Sequence, residues 1–220
     1  MEDIHDPALD GPEAHHLLKV LRLRPGEAVM AADGLGTRRL CVLSSANRLE
    51  PVEEAVTVPR PTPAVAVGFS LLKGDRNAWV VQKLTELGVD RIVPVITERV
   101  VKRPKEAGKS LHERLSAVSK SAFCQARLDW LPKIDEPREF SLLARTEPVV
   151  CADADGGIMS TDLPLLVVGP EGGWSPGEKE LTKGAVRLGE HTLRSETAAV
   201  VAGALLCALR AGIVLPSHLR

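Results

Sequence analysis

Aromatic side chains make up only 3% of this 220-residue chain, with no Tyr at all, so it lacks the platforms on which single-stranded nucleic-acid binders stack bases. Any RNA contact would rest on shape and phosphates. Cysteine is sparse, and Cys41, Cys124, Cys151 and Cys207 are scattered without a CxxC pair. That pattern supports neither a zinc site nor a disulfide framework, and it predicts buried free thiols. Neither sign of charge dominates: the formal net charge is −1, which argues against broad, sequence-blind binding to a phosphate backbone. The longest apolar stretch, Ala198 to Leu209, is too short to span a bilayer, and Met1-Glu2-Asp3-Ile4-His5-Asp6 lacks the basic and apolar regions of a signal peptide. A cytoplasmic protein with no membrane association is the expectation. There is no Walker loop, no GxGxxG fingerprint, no internal repeat and no low-complexity tract.

What is present is enough apolar content, 44%, for real cores in one ordinary domain or in one medium and one small domain. Two short loops near the C-terminus carry the most information. The first, Gly169-Pro170-Glu171-Gly172-Gly173-Trp174, follows the apolar run Leu163 to Val168, which reads as a buried parallel strand. Its glycines allow positive φ and close approach to a ligand. Ser175-Pro176-Gly177-Glu178 then reads as a capping box with Pro at the first helical position. The second is the segment Leu188 to Ala199. It leaves the short strand Ala185 to Leu188 and enters a helix of about Glu196 to Arg210, with Ser195 as the predicted N-cap. That helix is apolar on nearly every side, so it belongs in a core or a subunit interface.

Before these loops, residues 1 to about 60 hold short β-rich pieces, Ala28 to Ala31 and Leu40 to Leu43, broken by Pro25-Gly26 and Asp33-Gly34-Leu35-Gly36. A small barrel suits them. Val58-Pro59-Arg60-Pro61-Thr62-Pro63 is the natural linker. Beyond it, strand and helix alternate: Ala64 to Leu72, Arg76 to Leu87, Arg91 to Thr97, Leu111 to Arg127. The second domain is therefore α/β with a mainly parallel sheet. The helix after Asp75 should turn Trp79, Val80, Leu84 and Leu87 inward, while Lys83 and Glu86 lie a turn apart and can pair.

The two loops, with Lys73-Gly74-Asp75-Arg76, Gln82-Lys83-Leu84-Thr85-Glu86-Leu87-Gly88-Val89 and His15-His16-Leu17-Leu18-Lys19-Val20-Leu21-Arg22, resemble the RsmE-type 16S ribosomal RNA uridine N3-methyltransferases of the SPOUT superfamily. The resemblance spans roughly residues 13 to 212. It implies a PUA-like RNA-binding β-barrel over residues 1–60, a SPOUT domain with a trefoil knot over residues 64–220, and a homodimer. It also implies S-adenosylmethionine as cofactor and 16S rRNA in the small ribosomal subunit as partner, with uridine 1498 as the family target. No metal is implied.

On this resemblance, backbone groups of Val168, Gly169, Glu171, Gly172, Gly173, Leu188, Gly189 and Leu193 would bind the cofactor. Arg194 would stabilise negative charge developing on the uracil, and Glu196 would orient Arg194 or the base. Glu171 also has a structural reading, as an acceptor for nearby N–H groups. His16, Lys19, Arg22, Arg24 and Lys73 are the candidate RNA contacts. Lys73 is chosen because it ends a strand, where open α/β sheets place ligands. His15 and His16, as neighbours, make a poor metal pair, and helix packing competes with RNA contact for them. Basic residues cluster twice, at Lys19, Arg22, Arg24, Arg38 and Arg39, and at Arg99, Lys102, Arg103, Lys105 and Lys109; solvated faces are the competing reading. The chain departs from the resemblance in lacking the family's Arg- and Phe-rich opening strand, and in having Arg127 one place early, followed by Leu128. A noncatalytic RNA-binding or ribosome-assembly protein on the same fold, or a SPOUT methyltransferase with another RNA target, are the alternatives.

Overall fold

A computed structural model describes residues 4, 14, 18–19, 22–44, 48–100, 109–163 and 165–215, which fall into two units. The first comprises residues 1–60 and 127–130, the second 61–126 and 131–220.

In the first unit, β1 (Ala28–Ala32), β2 (Thr37–Leu43), β3 (Leu49–Pro51) and β4 (Val56–Thr57) form an antiparallel sheet in which β2 pairs with the other three. Asp33 makes the first reversal: its carboxylate accepts from the Leu35 and Thr37 backbone N–H groups at 2.7 and 2.9 Å, a side-chain turn typical of Asp. Alternation along β2 buries Cys41 and Leu43, which pack with Ala31, Leu49, Ile4 and Ala14. The segment 127–130 joins this unit through Trp130. Its indole N–H donates to the Val58 carbonyl at 3.1 Å, and the Arg60 guanidinium lies 5.1 Å from its ring centroid. Gly36, at φ +98, sits so close that a Cβ there would fall 2.3 Å from the ring. Only glycine meets both demands.

The second unit runs β5 (Ala66–Ser70), α1 (Arg76–Glu86), β6 (Arg91–Ile96), α2 (Lys109–Ala126), β7 (Lys133–Ile134), β8 (Arg138–Glu139), α3 (Phe140–Thr146), β9 (Val150–Gly157), β10 (Leu166–Val168), α4 (Pro176–Glu180), β11 (Ala185–Val186) and α5 (Ser195–Arg210). Its strands form one sheet in the order β11-β9-β10-β5-β6-β7, with β8 also beside β6, and every pairing is parallel. The central strands β5, β6 and β10 are short and largely buried because elements pack on both faces of the sheet. On one face α5 packs against α1, β5 and β10 through Ala198, Ala199, Ala202 and Leu206. Gly203 permits that closeness, since a Cβ there would lie 2.5 Å from Leu84. On the other, Phe140, Leu143, Cys151, Val167 and Trp174 form a second core. Arg210 closes the C-terminal end of α5 by reaching Asp90 and the Gly88 carbonyl.

Several details differ from the sequence reading. Trp79 is 43% exposed, and Val81, not Trp79, joins Val80 and Leu84 inside α1. Cys124 is exposed and Cys207 half-buried, so only Cys41 and Cys151 are buried thiols. The strand expected to end near Lys73 stops at Ser70, because Leu72 N–H and C=O are both captured by the Asn77 side chain at 2.8 Å. Arg127, at φ +53, takes the left-handed conformation that ends α2. The Lys83–Glu86 pair forms, at 2.7 Å. Among the described residues no helix is long and apolar enough to cross a membrane, and no His/Cys/Asp/Glu group could hold a metal.

Candidate functional site

Because every strand of the second unit's sheet runs the same way, the segments that follow β5, β6, β10 and β11 all leave its carboxyl edge, where open α/β sheets bind ligands. Both glycine-bearing loops lie here, with Lys73-Gly74-Asp75-Arg76 and Glu98-Arg99.

The first loop is fixed by its own sequence. Val168 is the last residue of β10, and Gly173, at φ +70, closes a turn by donating to the Pro170 carbonyl at 2.9 Å. Of the three glycines expected to need positive φ, only Gly173 has it. Gly169 is required for another reason: a Cβ would lie 2.8 Å from the Trp174 indole. Trp174 is buried, stacks at 4.7 Å on Phe140 and donates its indole N–H to the Ala152 carbonyl at 3.0 Å. The capping box then starts α4: Glu178 N–H donates to Ser175 Oγ, and Ser175 N–H to Glu178 Oε2 at 3.0 Å. The second carboxylate oxygen of Glu178 accepts from the Glu98 N–H at 2.9 Å, and Arg99 donates to the Gly172 carbonyl at 3.2 Å. So the segment after β6 braces the loop from outside.

The second loop is anchored at its ends. Leu188 and Leu193 pack on the main core, while Gly189, Glu190, His191 and Thr192 between them are exposed. Ser195 is not the N-cap. That position is Arg194, whose side chain makes no capping bond, and Ser195 is the first residue of α5. Its hydroxyl instead donates to the Gly169 carbonyl at 2.9 Å and so ties the second loop to the first.

The charged groups depart from the expected pairing. Glu196 does not contact Arg194; its Oε1 lies 3.5 Å from Arg76 Nη1, which also reaches Glu171 Oε1 at 3.0 Å. Glu171 is thus an ion-pair partner and not a cap for nearby N–H groups. The other Glu196 oxygen is buried without a hydrogen-bond partner among the described residues. Arg194 is exposed. Next to the site, the Lys179 ammonium bonds the Asp153 carboxylate and holds it below the usual aspartate range.

Of the candidate RNA contacts, Lys19, Arg22 and Arg24 are exposed in the first unit and Lys73 is exposed in the second, whereas His16 lies outside the described residues. Arg38 and Arg39 are engaged, with Asp129 and with the Glu53 carbonyl. Lys102, Arg103 and Lys105 lie outside the described residues. The sequence reading missed Arg76 as a site residue. Its signal was available: Arg76 stands in one of the quoted motifs, at the start of the helix that follows β5.

Residues 59–207 match the RNA methyltransferase domain family, and residues 9–51 match the RNA methyltransferase PUA domain. These two matches, on a parallel sheet with two tied loops at its carboxyl edge, place the chain among the RNA methyltransferases. The ribosomal RNA small subunit methyltransferase E of Mycobacterium bovis is 34% identical over 223 residues, covering 88% of this chain and 83% of its own. That of Synechocystis is 31% identical over 221 residues, covering 90% and 71%. The crystal structure of the Neisseria gonorrhoeae ribosomal RNA small subunit methyltransferase E bound to S-adenosyl methionine aligns with a TM-score of 0.81 at 27% identity, covering 94% of this chain and 93% of that one. The chain belongs to the ribosomal RNA small subunit methyltransferase E family.

Proposed function

We propose that this protein uses S-adenosylmethionine to methylate N3 of a uridine in 16S rRNA of the small ribosomal subunit, uridine 1498 being the family target. The observation that carries this reading is the bond from Ser195 to the Gly169 carbonyl, which joins the two loops, in a chain whose relatives include an S-adenosyl methionine-bound structure. The residues fit such a ligand. Beside Gly173 and Gly189 nothing lies within 4 Å of where a Cβ would stand, leaving bare backbone for an adenosyl group. The orphaned Glu196 oxygen is an acceptor without a donor, and adenosine and uracil both carry N–H donors.

When bound, the cofactor supplies an electrophilic methyl group on a sulfonium. Val168, Gly169, Glu171, Gly172, Gly173, Leu188, Gly189 and Leu193 hold it, chiefly through backbone groups. Most of the rate comes from holding N3 in line with that methyl group. Arg194, exposed beside the second loop, would stabilise negative charge developing on the uracil oxygens. Glu196 orients the base.

In this reading residues 1–60 form the PUA-like barrel, which contacts RNA through His16, Lys19, Arg22 and Arg24, and Lys73 contributes from the catalytic domain. Residues 64–220 form a knotted SPOUT domain that works in the cytoplasm as a homodimer. The apolar surface formed by Leu87, Ala204, Cys207, Ala208 and Ile213 supports the dimer. The test is methyl transfer to small subunits lacking the modification, followed by mass spectrometry of the nucleosides. New 3-methyluridine is the expected product, and Arg194→Ala should lower turnover by roughly a hundredfold, the scale of losing one charge-stabilising donor. Cofactor binding with no methylated nucleoside would favour a noncatalytic RNA-binding or assembly protein.

A further inference from the structure

Arg76 opens α1, a helix with no acidic residue in its first turn and whose N-cap, Asp75, makes no capping bond. A cation at that end opposes the helix dipole. The Asp75 carboxylate offsets the dipole locally, but the ion-pair partners of the Arg76 guanidinium itself lie elsewhere in the fold. They come from 95 and 120 residues away: Glu171 at 3.0 Å and Glu196 at 3.5 Å from the same guanidinium nitrogen. Glu171 belongs to the first loop and Glu196 to the first turn of α5, directly after the second. Arg76 therefore spans both halves of the site.

The burial of the three groups is graded. The Arg76 and Glu171 side chains are 42% and 50% exposed, whereas that of Glu196 is 15% exposed and one of its oxygens is sealed without a partner. A carboxylate held through one oxygen, with the other desolvated and unmet, is stable only if a donor completes it. We infer that Arg76 is a positioning residue for methyl transfer. It clamps Glu171 and Glu196 and so fixes the first turn of α5 against the first loop, holding the two halves of the site in register. The inference rests on the function proposed above and adds to it a residue that acts through Glu171 and Glu196.

The test compares steady-state methyl transfer to unmodified small subunits for wild type, Arg76→Met, Arg76→Lys and Glu196→Gln, with melting temperature as the control for folding. Arg76→Met should lower kcat by at least about tenfold, as a misplaced group does. The KM for S-adenosylmethionine should move less, because backbone groups hold the adenosyl part. Arg76→Lys should recover most of kcat, and Arg76→Met should add little in a Glu196→Gln background, since both act through one group. Glu171→Gln, a surface change that tests the clamp even if Arg76→Met folds poorly, should lower kcat about threefold, as expected for one rim contact of a coupled set. A kcat within twofold of wild type for Arg76→Met or unchanged for Glu171→Gln, a loss confined to KM, a Lys variant no better than Met, or losses that multiply with Glu196→Gln would each overturn the inference. A wild-type protein that transfers no methyl group would overturn the proposed function instead.

Discussion

The two loops of the site are built on opposite plans. The first is braced along its whole length by the Trp174 ring, the Gly173 turn, the capping box at Ser175 and the outside contacts from Glu98 and Arg99. The second is pinned at its ends by Leu188, Leu193 and Ser195, with four exposed residues between. One loop is a preformed wall, and the other a strap fastened to it at a single carbonyl.

The sharpest way to break this contrast is Trp174→Ala, which removes the wall's buried anchor. It should cost about 3–5 kcal/mol of stability and abolish cofactor binding, read by denaturant unfolding and by equilibrium dialysis with labelled S-adenosylmethionine. Next comes the pair Gly169→Ala and Gly189→Ala. The new methyl group meets Trp174 at 2.8 Å in the first and nothing within 4 Å in the second. Gly169→Ala should destabilise the free protein by about 1–3 kcal/mol, whereas Gly189→Ala should leave its melting temperature unchanged and weaken cofactor binding alone. Equal effects at both positions would erase the distinction between wall and strap. Smallest is Ser195→Ala, which unfastens the strap. A loss of about 0.5–1.5 kcal/mol is expected, with a larger relative fall in cofactor affinity. If affinity held, the tie would be incidental.

How far the site was legible in the sequence follows the range of the interaction. Ser175, Pro176 and Glu178 carry the capping box in four consecutive residues, and it forms as read. The apolar runs at β5, β6 and β10 mark the parallel sheet, though β5 is trimmed where the Asn77 side chain captures the Leu72 backbone groups. Ser195 misled because a serine before a helix looks like a cap from sequence alone. Only the fold reveals that Gly169, 26 residues earlier, offers it a carbonyl. The Arg76 ion pairs reach still further, over 95 and 120 residues, so the motif marks Arg76 but not its partners. Trp79 faces outward because a helix periodicity fixes an apolar stripe but not which of its edges the neighbours cover.

The return of residues 127–130 to the first unit changes how this protein can be taken apart. With Trp130 seated on Gly36, bonded to Val58 and covered by Arg60, the keystone of the N-terminal unit is encoded in the middle of the catalytic one. A fragment ending at residue 60 would be released without its keystone, and a fragment beginning at residue 61 would carry an indole with no seat. The two units are interleaved in the gene, so neither can be inherited, shuffled or lost by a single cut.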